Sequence, residues 1–257
     1  MAHFEAELTL IHAYGPGSLA YSDLALADPN LPEDVRRREE EHLRKFATES
    51  FPGAQAEVVV ANGDAGTVVD QLVRSTGTDL VMLATHGHGV VRRLLLGSVT
   101  AKVLHDLDCA VWTATAGALK GRASAVRSVL CALDGGDTDE TVARAGLAIA
   151  KSYGAELALV HVVEAPVPAV EMDYAIIRKE LMDSANLRLR EIKGTLGSNA
   201  PHAVLEGNVA SQVHDEALRR KADLIVTGRG GDQGVVSRLW SNLYSIVRDA
   251  PCPVLSI

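Results

Sequence analysis

The sequence predicts an α/β protein built from parallel sheets covered by helices, with the whole arrangement present twice. Three observations carry that prediction. Short apolar runs of strand length alternate with stretches of helical periodicity, the pattern of a right-handedly wound parallel sheet with helices on both faces. Four sequence blocks recur in the same order at a spacing of roughly 145 residues, which is a whole domain and far too long for the stacked units of a solenoid. A chain of 257 residues that is 47% hydrophobic can also bury a sizeable core.

The repeated blocks are read directly. Ala6-Glu-Leu-Thr-Leu-Ile-His-Ala13 returns as Ala155-Glu-Leu-Ala-Leu-Val-His-Val162. Gly63-Asp64 and the helical stretch to Ser75 match Gly207-Asn208 and the stretch to Arg220, with an Asp or Asn in N-cap position each time. Asp79-Leu-Val-Met-Leu matches Asp223-Leu-Ile-Val-Thr, and Asp108-Cys-Ala-Val-Trp112 matches Pro251-Cys-Pro-Val-Leu255. In the second copy, Val129 to Leu133 reads as a strand, and Asp137 to Tyr153 as a helix with Asp137 and Glu140 placed as a capping box.

The copies differ at the front. The second has some thirty residues before Ala155, the first only five before Ala6, so the first lacks a counterpart to Val129 to Ala150. His3-Phe-Glu-Ala reads as the tail of the missing helix. These limits place a first domain at residues 1–115, a small, polar, Gly-containing linker at 116–125 and a second domain at 126–257.

Ligands of open α/β sheets sit at the carboxyl ends of the strands. In copy one that place is taken by Thr85-His-Gly-His-Gly-Val-Val-Arg-Arg-Leu-Leu-Leu-Gly-Ser-Val99. Gly87 and Gly89 let backbone approach a ligand closely, while Gly97, Ser98 and Val99 open the next helix with N–H groups and a hydroxyl that suit a phosphate. The plain alternative is that the glycines turn the chain and Ser98 caps a helix.

Gly87 followed ten positions later by Gly97-Ser98, after Asp-Leu-Val-Met-Leu and before a helix ending in Asp-Cys-Ala-Val, resembles the universal stress protein pattern G-x2-G-x9-G-[S/T]. The resemblance covers nearly the whole chain and includes Leu133-Asp134-Gly and Pro251-Cys-Pro-Val. It implies two tandem sandwiches of the adenine-nucleotide α-hydrolase type, strand order 3-2-1-4-5, with the first copy lacking its first strand. It also implies ATP or another adenine nucleotide as ligand, with magnesium accompanying ATP. The acidic residue ending the first strand would contact the adenosine, a residue after the second strand would flank the base, and the glycine loop would hold the phosphates.

Neither copy has all of these parts. Copy one has Gly87, Gly97 and Ser98, with Ala84 at the first glycine position and no first strand. Copy two has Ala132, Leu133 and Asp134, then Val162, Gly228, Gly231 and Ser241, but its loop is one residue shorter and Trp240 replaces the third glycine.

Other constellations exclude more than they add. A net charge of −8 argues against a nucleic-acid surface, and Arg36 to Arg38 run straight into Glu39 to Glu41 as one solvated helix face. His86 with His88 and His12 with His161 are only pairs, short of the converging ligands a metal needs. No nucleophile, base or metal-carboxylate arrangement marks a catalytic centre, which disfavours an enzyme beyond slow ATP hydrolysis. Cys109, Cys131 and Cys252 are widely spaced, and no leader or membrane-length apolar run is present, so reduced thiols in a cytoplasmic protein are expected.

The carboxy-terminal strands of the two copies fall at sheet edges, and the resemblance makes these edges a dimer contact. They are therefore expected to pair within one chain as a pseudo-dimer, with a homodimer as a further step. The slot of the missing strand is expected to close directly, strand to strand, or to be filled by a partner. Two functions follow from the resemblance: a stress-response module regulated by an adenine nucleotide, or a tandem protein that has lost the nucleotide and works through protein contacts.

Overall fold

A computed structural model describes residues 4–15, 31–85, 96–115, 126–164, 171–229 and 236–257. Nine strands and seven helices are seen among them, and the chain forms two compact units, Met1–Thr78 and Asp79–Ile257.

The first unit holds β1 (Leu8–Tyr14), α1 (Leu31–Ser50), β2 (Ala56–Asn62) and α2 (Ala65–Thr76). β1 and β2 pair in parallel from Leu8 opposite Ala56 to Tyr14 opposite Asn62. Asp64 caps α2, its Oδ1 accepting the Thr67 N–H at 3.0 Å, and Gly77 ends the helix in the left-handed conformation with φ 66°. On α1, Arg36 donates to Glu33 and Glu40, and Arg44 to Glu40, the solvated face its charge pattern predicts. Packing is thin. Among the described residues of this unit only Gly66 and Val68 are buried.

The second unit is built on one seven-stranded sheet. It contains β3 (Leu80–Ala84), α3 (Ser98–Asp106) and β4 (Ala110–Ala114) from copy one. Copy two follows with β5 (Ser128–Leu133), α4 (Asp139–Tyr153), β6 (Glu156–Val163), α5 (Glu171–Thr195), β7 (His202–Glu206), α6 (Val209–Arg220), β8 (Leu224–Thr227), α7 (Val236–Asp249) and β9 (Val254–Ser256). The strand order is β3-β4-β9-β8-β5-β6-β7. Counted within copy two, that is 3-2-1-4-5, with β5 central and parallel to both β6 and β8. β4 lies antiparallel to β9, Trp112 opposite Leu255.

Alternation along the strands sends Val129, Cys131 and Leu133 to one face, where they pack with Val142 and Ala143 of α4 and Leu189 and Ile192 of α5. The intervening Leu130 and Ala132 point to the other face, where α6 packs. Gly146 on α4 sits directly on Cys131: a Cβ there would lie 2.1 Å from the thiol sulfur. Asp223 fixes the entry of β5 by accepting the N–H groups of Arg127 and Ser128 at 2.9 and 3.2 Å. Asn208 caps α6 through the Ser211 N–H at 3.0 Å, as Asp64 caps α2.

Two expectations change. Asp137 does not cap α4: the helix begins at Asp139, and Thr138 stands at the N-cap, one residue later than a capping box with Glu140 requires, in the helical conformation and with no side-chain bond. Direct closure of the empty slot does not occur either. Among the described residues β1 pairs only with β2 and β3 only with β4, so the strands of copy one are divided between two sheets.

Candidate functional site

The carboxyl ends of β5, β6 and β8 come together around the central strand of copy two, the position where open α/β sheets take their ligands. Asp134 leaves β5 there, exposed, in a tight turn: its Oδ1 accepts the Gly136 N–H at 2.8 Å. Gly135 has φ 86°, and a Cβ on it would meet the His161 ring at 3.2 Å, so the turn needs glycine for both conformation and space. His161, on β6, donates from Nδ1 to the Leu133 carbonyl at 2.9 Å and so ties the ends of the two strands.

Asp139 lies beneath this turn. It is 1% exposed, and its Oδ1 accepts the N–H groups of Asp134 and Gly135 at 3.0 and 3.3 Å. Its Oδ2 is buried without a hydrogen-bond partner among the described residues. Burial, and then the Asp134 charge, push the Asp139 carboxyl up to about 7. From the other side Gly228, the residue after β8, comes so close to α4 that a Cβ would lie 2.9 Å from the Thr138 hydroxyl.

Of the residues expected at this site, Asp134 is the one whose side chain stands at the strand ends in the open. Ala132, Leu133 and Val162 lie inside strands and are buried, 6%, 5% and 8% exposed. Gly231 lies outside the described residues. Trp240 and Ser241 belong to α7, with side chains outside the described set.

In copy one, Gly87, Gly89, His86 and His88 lie outside the described residues. Gly97 precedes α3, and its N–H is not free: it donates to the Thr85 carbonyl at 3.0 Å. The Thr100 hydroxyl donates to the Ala84 carbonyl at 3.1 Å, closing the loop onto the end of β3. A Cβ on Gly97 would approach Thr85 to 3.2 Å. The first-turn N–H groups of Ser98 and Val99, both exposed, have no partner within the helix.

Elsewhere, His12 lies 3.6 Å from Glu39, and among the described residues no group of three or more His, Cys, Asp or Glu is placed to hold a metal. Sequence reasoning missed Asp139. Its signal was an acid at the first helical position, five residues after Asp134, overlooked because Asp137 has the better spacing from Glu140.

Both copies match the Universal stress protein family, over residues 1–114 and 125–257. The chain therefore belongs to that family, with two units in tandem. It is 32% identical over 140 residues to a universal stress protein of Thermus aquaticus, a match spanning 51% of this chain and 98% of that protein. Over 139 residues it is 28% identical to a universal stress protein of Methanocaldococcus jannaschii, covering 51% of this chain and 81% of the relative. Among solved structures, a universal stress protein from Archaeoglobus fulgidus is similar with TM-score 0.70 and 20% identity, over 99% of this chain and 87% of that one. A further one from Pseudomonas aeruginosa gives TM-score 0.67 and 17% identity, over 100% and 95%. These two likenesses show the fold. No helix among the described residues is long and apolar enough to cross a membrane.

Proposed function

We propose that this chain is a stress-response module that binds an adenine nucleotide as a regulatory ligand, at the strand ends of copy two. The observation that carries the reading is Asp134: an exposed carboxylate held by a glycine turn at the end of the central strand. With Oδ1 used by Gly136, the exposed carboxylate keeps acceptor capacity for a ribose hydroxyl. The strand ends at Ala132, Leu133 and Val162 take the adenosine side, and Gly228 the phosphate side. Copy one offers a phosphate-binding helix start at Ser98 and Val99, preceded by Gly97. ATP would bring magnesium with it.

Thermal shift with ATP, ADP and AMP tests this. Stabilisation by at least one of them is expected in the wild type and should be lost in Asp134→Ala, a loss of roughly 1–3 kcal/mol of binding for a charged hydrogen bond. No shift with any nucleotide, or an undiminished shift in the variant, rejects the site.

A further inference from the structure

The turn at the end of β5 carries a second carboxylate that nucleotide contact does not use. Asp139 opens α4 but does not cap it; its side chain reaches back instead, and Oδ1 takes the N–H groups of Asp134 and Gly135. Oδ2 is left buried with no hydrogen-bond partner among the described residues. The Asp134 carboxylate is held on the same turn, its Oδ1 on the Gly136 N–H, so the two side chains take the N–H groups of three consecutive residues. Two carboxylates that close, one of them desolvated, cannot both stay ionised without strong repulsion, whereas one proton between them turns an orphaned acceptor into a donor.

We propose that Asp139 is a positioning residue that shares one proton with Asp134, holding the exposed Asp134 carboxylate on its turn to accept a ligand hydroxyl. The role toward a ligand rests on the nucleotide reading of Asp134. The charged surroundings leave the pair to itself. His161 on β6 is turned to the Leu133 carbonyl, and Arg229 after β8 donates to the carbonyls of Leu107 and Cys109. α5 meets α4 with Leu189 and Ile192, Glu140 is paired with Arg144, and Asp137 is exposed in the loop. Asp134 is thus the charge that bears on Asp139, and loss of the proton near neutrality sets two negative charges against each other beneath the turn.

The test uses the full chain labelled with carbon-13 at aspartate carboxyls, titrated by NMR without ligand, and AMP as the binding probe. In the wild type one aspartate should titrate near neutrality, and Asp139→Asn should remove that signal. The AMP dissociation constant should rise roughly tenfold between about pH 6 and about pH 8.5 in the wild type. It should stay flat in Asp139→Asn, whose amide donates to Asp134 as the protonated acid does. Aspartates that all titrate in the ordinary carboxylate range, or an unchanged pH profile in the Asn variant, overturn the proposal while leaving nucleotide binding intact. A near-neutral aspartate with no AMP binding at any pH upholds the shared proton and overturns the nucleotide reading instead. Should Asp139→Asn fail to fold, the wild-type titration alone decides, because it needs no variant.

Discussion

Asp139 and Glu216 are both buried acids, 1% and 4% exposed, and the fold treats them in opposite ways. Glu216 is given Arg219 and Arg220, whose hydrogen bonds hold its carboxyl below the usual range. Its stabilising contribution is present above the ordinary carboxylate pKa and is lost as pH falls. Asp139 receives two backbone N–H groups and a negative neighbour, and its carboxyl rises from the ordinary 3.8 to about 7. The folded chain keeps a proton that the unfolded chain has lost, so this contribution is full below about pH 4 and disappears as pH rises to about 7. Melting curves of wild type and Asp139→Asn should therefore agree near pH 4. They should then diverge in favour of the variant up to about pH 7 and run parallel above it; a constant offset at all pH would contradict the assignment.

At the scale of elements, the duplication supplies an internal control. β1 and β6 share the pattern Glu-Leu-x-Leu-x-His, yet β6 buries Leu157 to Val160, Val162 and Val163, whereas β1 buries nothing. The difference is the neighbour: among the described residues β6 pairs on both edges, with β5 and β7, and β1 on one, with β2. Backbone amides of β6 should accordingly exchange with solvent orders of magnitude more slowly than those of β1, and equal protection would mean that another strand covers β1. Gly146 makes the complementary point inside α4. Alanine there would gain about 1 kcal/mol in helix propensity. The 2.1 Å clash with the fully buried Cys131 outweighs that gain, since overpacking a tight core costs about 1–3 kcal/mol or more. Gly146→Ala should lower the denaturation midpoint, and Gly146→Ala combined with Cys131→Ala should restore part of it.

Across the whole molecule, the periodic blocks made the strands and helices legible, because apolar alternation and the Asp64 and Asn208 caps are local signals, whereas the 3-2-1-4-5 order of copy two was implied by the family resemblance alone. The place of Asp134 at a strand end was legible as well, since it ends an apolar run before two glycines, while its expected contact with a ligand came from the resemblance. Asp139 was not: a side chain reaching backward across a turn leaves no periodic trace. Nor was the division of copy one between two sheets, because strand pairing is a non-local matter that no window of sequence contains. The antiparallel β4–β9 pair changes which shortened genes can be tolerated. β4 shields an edge of copy two that would otherwise invite β-sheet aggregation, so residues 79–114 act as a guard for the following copy. A fragment of residues 126–257, though it keeps the entire second repeat, should self-associate through β9 in sedimentation, and should do so more strongly than one of residues 79–257, in which β4 covers that strand.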